Sequence, residues 1–409
     1  MNDATDPAAR PGSGPGEPAE PAVAWSVIAR EWGRIGVTGF GGPPAHIALL
    51  RTLCVEKRGW LRADEFEDGI AATSLLPGPT STQLAIFCAW RLRGARGAIL
   101  GGLCFIVPGL VIILALSALF LTHNAPRWVQ GVAAGAGAGV PAVAVGAALG
   151  FLPASWQRVK ESWGREVRWT AYLAAGVLSA AIAGQYLVFV LLACGLAELA
   201  AQRRTAIARG GGSRPLAVAG PLPALALATG GAGALGALAW VALKVGALSF
   251  GGGFVIIPLM QHDAVSTYHW MTSAQFLNAV ALGQVTPGPV VLTVAVVGYA
   301  AWGVSGGLLG AAVAFAPSFA FVIAGAPHFG RLRASAGAQA FLTGAGACAI
   351  GGIGGAAVPL AVGLAHLWQF GITALAAGWL LGLRKGVVTA LLGCGALGAI
   401  AAFAHAPLP

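Results

Sequence analysis

Most of the charge in this chain of 409 residues lies outside its long apolar stretches, in short turns and the N-terminal tail, and that partition restricts the fold more than any other feature. The stretches cover 22–50, 64–93, 97–121, 127–150, 169–184 and 185–201, then 235–259, 272–303, 305–327, 337–361, 364–383 and 386–406. A helix needs about 20 apolar residues to cross the hydrocarbon of a bilayer. Charged residues make up 9% of the chain and hydrophobic ones 57%, whereas a soluble domain carries about 25% charged residues. No soluble core of this size hides that much apolar surface, so the expected fold is an all-α integral membrane protein embedded in a lipid bilayer. The 62 glycines do not recur at every third position, which excludes collagen. In lipid, glycine lets helices approach closely, and together with proline it breaks helices where a site is built.

The net charge of +10 does not indicate nucleic acid, because the Arg and Lys sit in turns, as in cytoplasmic loops. The six cysteines (Cys54, Cys88, Cys104, Cys194, Cys348 and Cys394) are scattered through apolar segments without a C-x-x-C pair. They are read as core packing and not as a metal site or a disulfide framework. No Walker motif, Gly-x-Ser-x-Gly or His/Glu/Cys metal spacing is found, so no catalytic set, metal or cofactor is expected. Residues 1–21 are rich in Pro, Gly, Ala and acids and read as a disordered tail without signal-peptide character.

The pattern restarts after a polar, basic linker at 202–223, which contains Arg203, Arg204, Arg209 and Arg214. A shift of 210 residues lays Phe40-Gly41-Gly42 on Phe250-Gly251-Gly252, Trp60 on Trp270, Pro77-Gly78-Pro79 on Pro287-Gly288-Pro289 and Gly97 on Gly307, with no gap from 36 to 97. The chain is therefore divided into a first repeat at 22–201 and a second at 224–409, a duplication typical of transporters. Loop charges give their relative orientation. Arg51, Lys57, Arg58 and Arg62 face a partner loop at 261–272 without Lys or Arg. Arg91, Arg93 and Arg96 face the uncharged turn from Ala301 to Gly306, and Arg158, Lys160, Arg165 and Arg168 face a loop near His366 that has none. In reverse, Arg331 and Arg333 face only Arg127, and Arg384 and Lys385 face the uncharged turn at Gly184. Basic loops that swap between halves require inverted topology and an odd number of crossings per half. The simplest count takes 22–50 as one broken crossing and 64–93 as a re-entrant hairpin, followed by four helices. That gives about five crossings per half, a cytoplasmic linker and both termini on the periplasmic side.

Non-helical backbone at membrane depth is tolerated where it lines a protein-buried or watery site. A helix restarting after Gly41-Gly42-Pro43 or after Pro77-Gly78-Pro79 aims free N–H groups at its break, where they suit an anion. The second break runs on into Thr80, Ser81, Thr82 and Gln83, whereas the other half has Val290, Val291, Leu292 and Thr293 there. The polar work is thus expected in the first half. The alternative is that the Pro/Gly pairs are simple kinks. Arg30 and Arg34 share one helix face, and Lys244 aligns with Arg34. An anion would relieve their cost inside the bilayer, as would an i,i+3 contact of Glu31 with Arg34 or snorkelling. His46, just past the first break, serves either an anion or a proton, or caps the helix. Asp263, Asp64, Glu65 and Asp68 are read as solvated.

These motifs resemble those of the chromate transporter family: Phe40-Gly41-Gly42-Pro43 with Ala45-His46, Trp60 and Leu76-Pro77-Gly78-Pro79 with Thr80 to Gln83, then Phe250-Gly251-Gly252-Gly253, Trp270 and Thr286-Pro287-Gly288-Pro289 with Thr293 and Gly298-Tyr299. The resemblance spans about 24–408 and is to the long, two-domain type. It implies a multi-pass protein of the bacterial inner membrane that exports chromate, in exchange with or in place of sulfate, and confers chromate resistance. A homodimer is allowed for. One departure is Phe254 in Phe254-Val255-Ile256-Ile257-Pro258, where the family often has Tyr, which removes a hydroxyl at 254. An uptake permease for sulfate or another small anion, and a membrane enzyme or sensor, are the competing readings. Glu31 is the one acidic residue read as well inside an apolar stretch, so cation-coupled uptake lacks the carboxylates it needs. Nothing in the sequence separates chromate from sulfate or molybdate.

Overall fold

The computed structural model describes residues 23–121, 125–160, 162–208, 233–249, 253–330 and 335–409, which are helix and turn with no strand among them. The tail at 1–21, most of the expected linker, Arg331, Arg333, Phe250, Gly251 and Gly252 lie outside the described residues. The first half holds α1 (Trp25–Thr38), α2 (Pro43–Arg51), α3 (Ala63–Leu75), α4 (Thr80–Phe120), α5 (Arg127–Trp156), α6 (Trp163–Ile182) and α7 (Leu187–Ala208). The second holds α8 (Ala234–Leu248), α9 (Ile257–Gln261), α10 (Ser273–Val285), α11 (Thr293–Gly325), α12 (Ala336–Gly355), α13 (Ala357–Val362), α14 (Leu367–Ala377) and α15 (Val387–Phe403). Five spans are long and apolar enough to cross a membrane: Thr80–Phe120, Arg127–Trp156, Gly184–Thr205, Val290–His328 and Ala336–Val362. The protein is an all-helical, multi-pass membrane protein.

The stretch 22–50 does not cross as one broken helix, contrary to the sequence expectation. Glu31 on α1 pairs with Arg58 beyond α2 at 3.1 Å, and Trp32 stacks on Trp60 with ring centroids 6.3 Å apart. A straight path at 1.5 Å per residue would hold positions 31 and 58 about 40 Å apart. The chain folds back because Gly41 and Gly42 adopt φ of 98° and 73°, turning it, and the prolines after them lack the N–H that would continue α1. The expected second hairpin is present. α3 enters, the chain breaks at Pro77-Gly78-Pro79, and the start of α4 returns, so that Arg91 pairs with Glu65 at the open end. α4 then reverses again at Arg93 and Gly94, where Gly94 has φ 59° and ψ −153°. A side chain on Gly102 would strike Ile86, which a continuous helix would place about 24 Å away.

The second half repeats each device. Lys244 on α8 pairs with Asp263 past α9 at 2.6 Å. Wide helical turns at Thr52–Lys57 and His262–Thr267 stand in the same register. So do the caps: Glu65 Oε2 accepts from Arg62 N, and Gln275 Oε1 accepts from Thr272 N. The second reversal falls at Trp302 and Gly303, with Gly303 at φ 61° and ψ −150°. Gly94 therefore matches Gly303, and the ungapped register expected as far as 97 slips by one residue.

Helix directions follow from close approaches at glycine. Beyond their reversals α4 and α11 run antiparallel, Gly102 lying against Phe319 and Gly307 against Leu114. α5 is antiparallel to α15, with Gly131 near Ala402 and Gly139 near Leu391. It is parallel to α14, whose Gln369 Nε2 and Thr373 Oγ1 donate to the carbonyls of Ala134 and Ala138 at 3.4 and 2.7 Å. α12 mirrors this with exchanged partners: antiparallel to α7 (Gly344 near Cys194, Gly352 near Leu187) and parallel to α6 (Gly351 near Leu173, Gly355 near Val177). Reciprocal exchange is the mark of a twofold relation between units.

The start of α1 sits by the first reversal, since Arg93 Nε donates to Val23 O at 2.6 Å and Arg93 stacks over Trp25. That is the end carrying the basic turns at 51–62 and 91–96. The N-terminal end of the bundle thus lies with the basic turns and not opposite them, because the first stretch doubles back. The C-terminal end lies at the other extremity, where Arg127 Nη2 donates to Ala406 O at 3.3 Å.

Candidate functional site

The four breaks interlock at the centre of the molecule. The Gly78 N–H donates to Ser249 O at 3.0 Å, and the Gly288 N–H donates to Gly39 O at 3.1 Å. Each Pro-Gly-Pro of one half is thereby bonded to the Gly-rich break of the other, and 78/288 and 39/249 are the same positions of the repeat. Gly78 and Gly288 take φ of 126° and 105°, a region that a residue with a Cβ adopts only with strain.

Two helix starts meet on the first-half side. α2 begins at Pro43 with Gly42 as its cap residue, and α4 begins at Thr80 with Pro79 as its cap residue; no side chain caps either. Pro43 and Pro44 carry no N–H, so α2 presents the Ala45 N–H alone, whereas α4 presents those of Thr80, Ser81 and Thr82. Both starts carry the positive end of the helix dipole. His46 couples the two. Its Nε2 lies 2.9 Å from Gly39 O and its Nδ1 lies 3.3 Å from Ser81 Oγ, so the neutral tautomer with Nε2–H donates to the break and accepts from Ser81. The ring is fully buried and meets Phe105 edge-on at 5.0 Å. A side chain on Gly39 would strike that ring, which explains a glycine there. His46 thus ties the start of α2 to the start of α4.

Ser81, Thr82 and Gln83 are buried, and Thr80 is half-buried. Gln83 Nε2 donates to Pro77 O at 2.7 Å, holding the hairpin tip closed. The Oγ of Thr82 and the Oε1 of Gln83 are buried with no hydrogen-bond partner, and so are Ser249 Oγ and Ser318 Oγ. Phe40 and Gly41 are exposed at the edge of this centre. On the second-half side the same backbone carries apolar groups. Val290 and Val291, both buried, approach Gly42 and Gly253, while Thr293 Oγ1 is satisfied by Val290 O at 2.8 Å. Pro287, Gly288 and Pro289 are buried, and Gly253 takes φ 94°.

The cations lie off this centre, in ion pairs. Arg34 Nη2 is 2.9 Å and Arg30 Nη2 3.5 Å from the buried Glu31 carboxylate, which Arg58 also reaches. The i,i+3 contact of Glu31 with Arg34 is therefore formed. Lys244 binds Asp263 and lies over Trp240 with its Nζ 5.8 Å from the ring centroid. Asp263 is buried, contrary to the solvated position expected from its place near a loop end, because the hairpin folds it back onto α8. Nor is Glu31 the one acid inside. Glu198 on α7 is buried and held by Arg168 Nε and Nη2 at 2.7 and 3.1 Å, with Gln202 Nε2 at 2.9 Å. These three buried acids each hold a basic partner. Among the described residues no three His, Cys, Asp or Glu gather as metal ligands.

Sequence reasoning missed Ser249 and Ser318. Ser249 stands where the first half has Gly39, and Pro317-Ser318 stands where it has Pro108-Gly109, once the one-residue slip is applied. Ser249 lies within the register drawn from 36 to 97, opposite Gly39, and carrying the repeat past position 97 would have exposed Ser318.

The centre brings together helix N-termini, hydroxyls and an amide, a donor set whose chemistry suits an anion. The chromate transporter family model matches residues 27–199 and 236–399. A chromate transport protein of Cupriavidus metallidurans is 33% identical over 338 residues, 80% of each chain. One from Pseudomonas aeruginosa is 30% identical over 84% of this chain and 83% of its own, and a probable chromate transport protein of Synechococcus elongatus is 28% identical over 89% and 92%. No solved structure matches. Two matched segments, one on each side of the linker, together with relatives aligned along most of their length, place the chain in the chromate transporter family.

Proposed function

We propose that the chain exports chromate from the cytoplasm across the inner membrane, driven by the membrane potential or by exchange with an opposing anion, and that this confers chromate resistance. The observation that carries the reading is the meeting of two uncapped helix starts, α2 and α4, at a buried centre with unpartnered hydroxyls. The tetrahedral dianion sits against Gly42, Pro43 and the turn from Pro77 to Gln83, with Arg34 as counter-charge toward the mouth. The two repeats, 22–201 and 224–409, have opposite orientation in the membrane. Antiparallel packing of the equivalent helices α4 and α11 supports this, as does the gathering of basic turns at one end of the bundle, the cytoplasmic one.

Direction follows from the field. A dianion leaving a negative cytoplasm gains about 2.3 kcal/mol per charge for each 100 mV, about 4.6 kcal/mol in all. That gain sustains a concentration ratio of more than about a thousandfold. Export needs neither ATP nor a cation site, and among the described residues the buried acids Glu31, Glu198 and Asp263 are committed to basic partners. In proteoliposomes, a potential negative on the chromate-loaded side accelerates chromate loss. Rates indifferent both to the potential and to an opposing anion would overturn the mechanism.

A further inference from the structure

The two Pro-Gly-Pro joints have one backbone and opposite surroundings. Gly78 faces Gln83 and Ser318: a side chain on it would strike the Gln83 amide, and its Cβ would lie 3.1 Å from Ser318 Oγ. Its N–H bonds to Ser249, whose Oγ lies by Gly253. Thr82 stands one residue before Gln83. Of the eight buried side-chain polar atoms without a partner among the described residues, four belong to these residues. Gly288 meets the reverse. Its neighbours at the matching positions are Leu292, Thr293, Gly39 and Gly109. The Leu292 side chain lies 3.2 Å from the Cβ position of Gly288, and the Thr293 hydroxyl is already used.

An unpartnered buried hydroxyl is costly. Gln83 Oε1 only accepts and is not matched by an anion, but the hydroxyls of Thr82, Ser249 and Ser318 can donate. Three unpartnered hydroxyls on three elements from both halves are best explained by a ligand that accepts from them. We infer that the anion centre is single, lies at Gly78, and is completed by two hydroxyl donors of the second half, Ser249 and Ser318, while Gly288 is a structural joint. The ligand is a tetrahedral oxyanion with acceptors on several sides, since donors approach from α4, from the end of α8 and from the middle of α11. This rests on the anion site proposed above and adds the second half's contribution to it. The division also explains the divergence of the halves: the twofold backbone is kept by the interlocking bonds, whereas one ligand needs one set of donors.

The test is binding of chromate, with molybdate as competitor, to the full-length protein in detergent. Ser318→Ala and Ser249→Ala are each expected to weaken binding roughly tenfold to a hundredfold, the loss of one hydrogen bond to a charged group. Ser318→Gly, which installs the residue of the other half, should behave like Ser318→Ala. Leu292→Ala, at the second joint, should change binding by less than about twofold, and wild type should bind one anion per chain. Thermal unfolding without anion establishes that each variant is folded. Wild-type affinity in folded Ser249 and Ser318 variants, or two equal anions per chain, overturns the inference. If Gln83→Ala abolishes binding while the serine variants keep it, the inference alone fails. If Gln83→Ala also binds normally, the proposed anion site fails with it.

Discussion

The two halves keep their backbone and trade their side chains. Reversal, wide turn, left-handed glycines and interlocking N–H···O bonds recur 209 or 210 positions apart, yet His46 faces Ser81 where the other half has Ile256 and Val291. Charge differs in the same way. Each half closes its first hairpin with an ion pair, but one puts the acid on α1 and gathers three arginines on it, whereas the other puts a lysine on α8 and one aspartate past α9. Duplicated geometry is thus required of both halves by the fold, while polar chemistry is free to settle in one. What survives duplication in both copies marks the scaffold, and what survives in one copy marks the site.

The comparison breaks outright if the halves are not inverted. Single cysteines at Lys57 and Thr267, equivalent positions on the two wide turns, are expected to react with a membrane-impermeant thiol reagent from opposite sides. Labelling of both from the same side would remove the inverted arrangement.

The next effect in size separates the two ion pairs by their stability. Lys244 and Asp263 are both largely buried, with side-chain exposures of 17% and 9%, so Lys244→Ala leaves a carboxylate buried and alone. Removing one partner of such a pair costs about 3–5 kcal/mol. The variant should unfold at a clearly lower temperature in detergent, and Lys244→Ala with Asp263→Ala should recover part of the loss. Equal melting of wild type and the single variant would mean that this pair does not hold the second hairpin.

Much of this architecture is legible in the sequence, for physical reasons that also set the limits. Apolar length and confined charge require membrane helices, and the shared spacing of Phe-Gly-Gly and Pro-Gly-Pro requires a duplication. The re-entrant hairpin at 64–93 follows from its two basic flanks. The hairpin at 22–50 was not legible, because a glycine pair that kinks a helix and one that reverses it read alike; φ at Gly41 and Gly42 decides. The burial of Asp263 and Glu198 was hidden for a related reason, since a residue near a turn is solvated only if the turn is not folded back. At the site, His46 and the run from Thr80 to Gln83 stood out by their polarity. Ser249 and Ser318 did not, as a lone serine in an apolar helix carries meaning only beside its repeat partner.

The smallest effect concerns the arginines. Glu31 is shared by Arg30, Arg34 and Arg58, whose side chains are 69%, 55% and 42% exposed, so the group carries two positive charges in excess. Glu31 is buried but keeps Arg30 and Arg58 when Arg34 is removed, so its carboxylate is not left alone, and Arg34→Ala should melt close to wild type, unlike Lys244→Ala. Its consequence lies in the attraction of a dianion toward the mouth, where the excess falls from two charges to one. Chromate transport should fall about threefold to tenfold at low salt, and the deficit should shrink as ionic strength shortens the reach of the field, which is about 10 Å at 0.1 M. Glu31→Gln shifts the excess the other way, to three charges, and should raise the low-salt rate while keeping a hydrogen-bonding side chain. Opposite signs for the two variants, converging at high salt, distinguish electrostatic recruitment from a structural role. Equal losses in both, unaffected by salt, would mean that the cluster serves only to close the first hairpin, as Lys244 and Asp263 close the second.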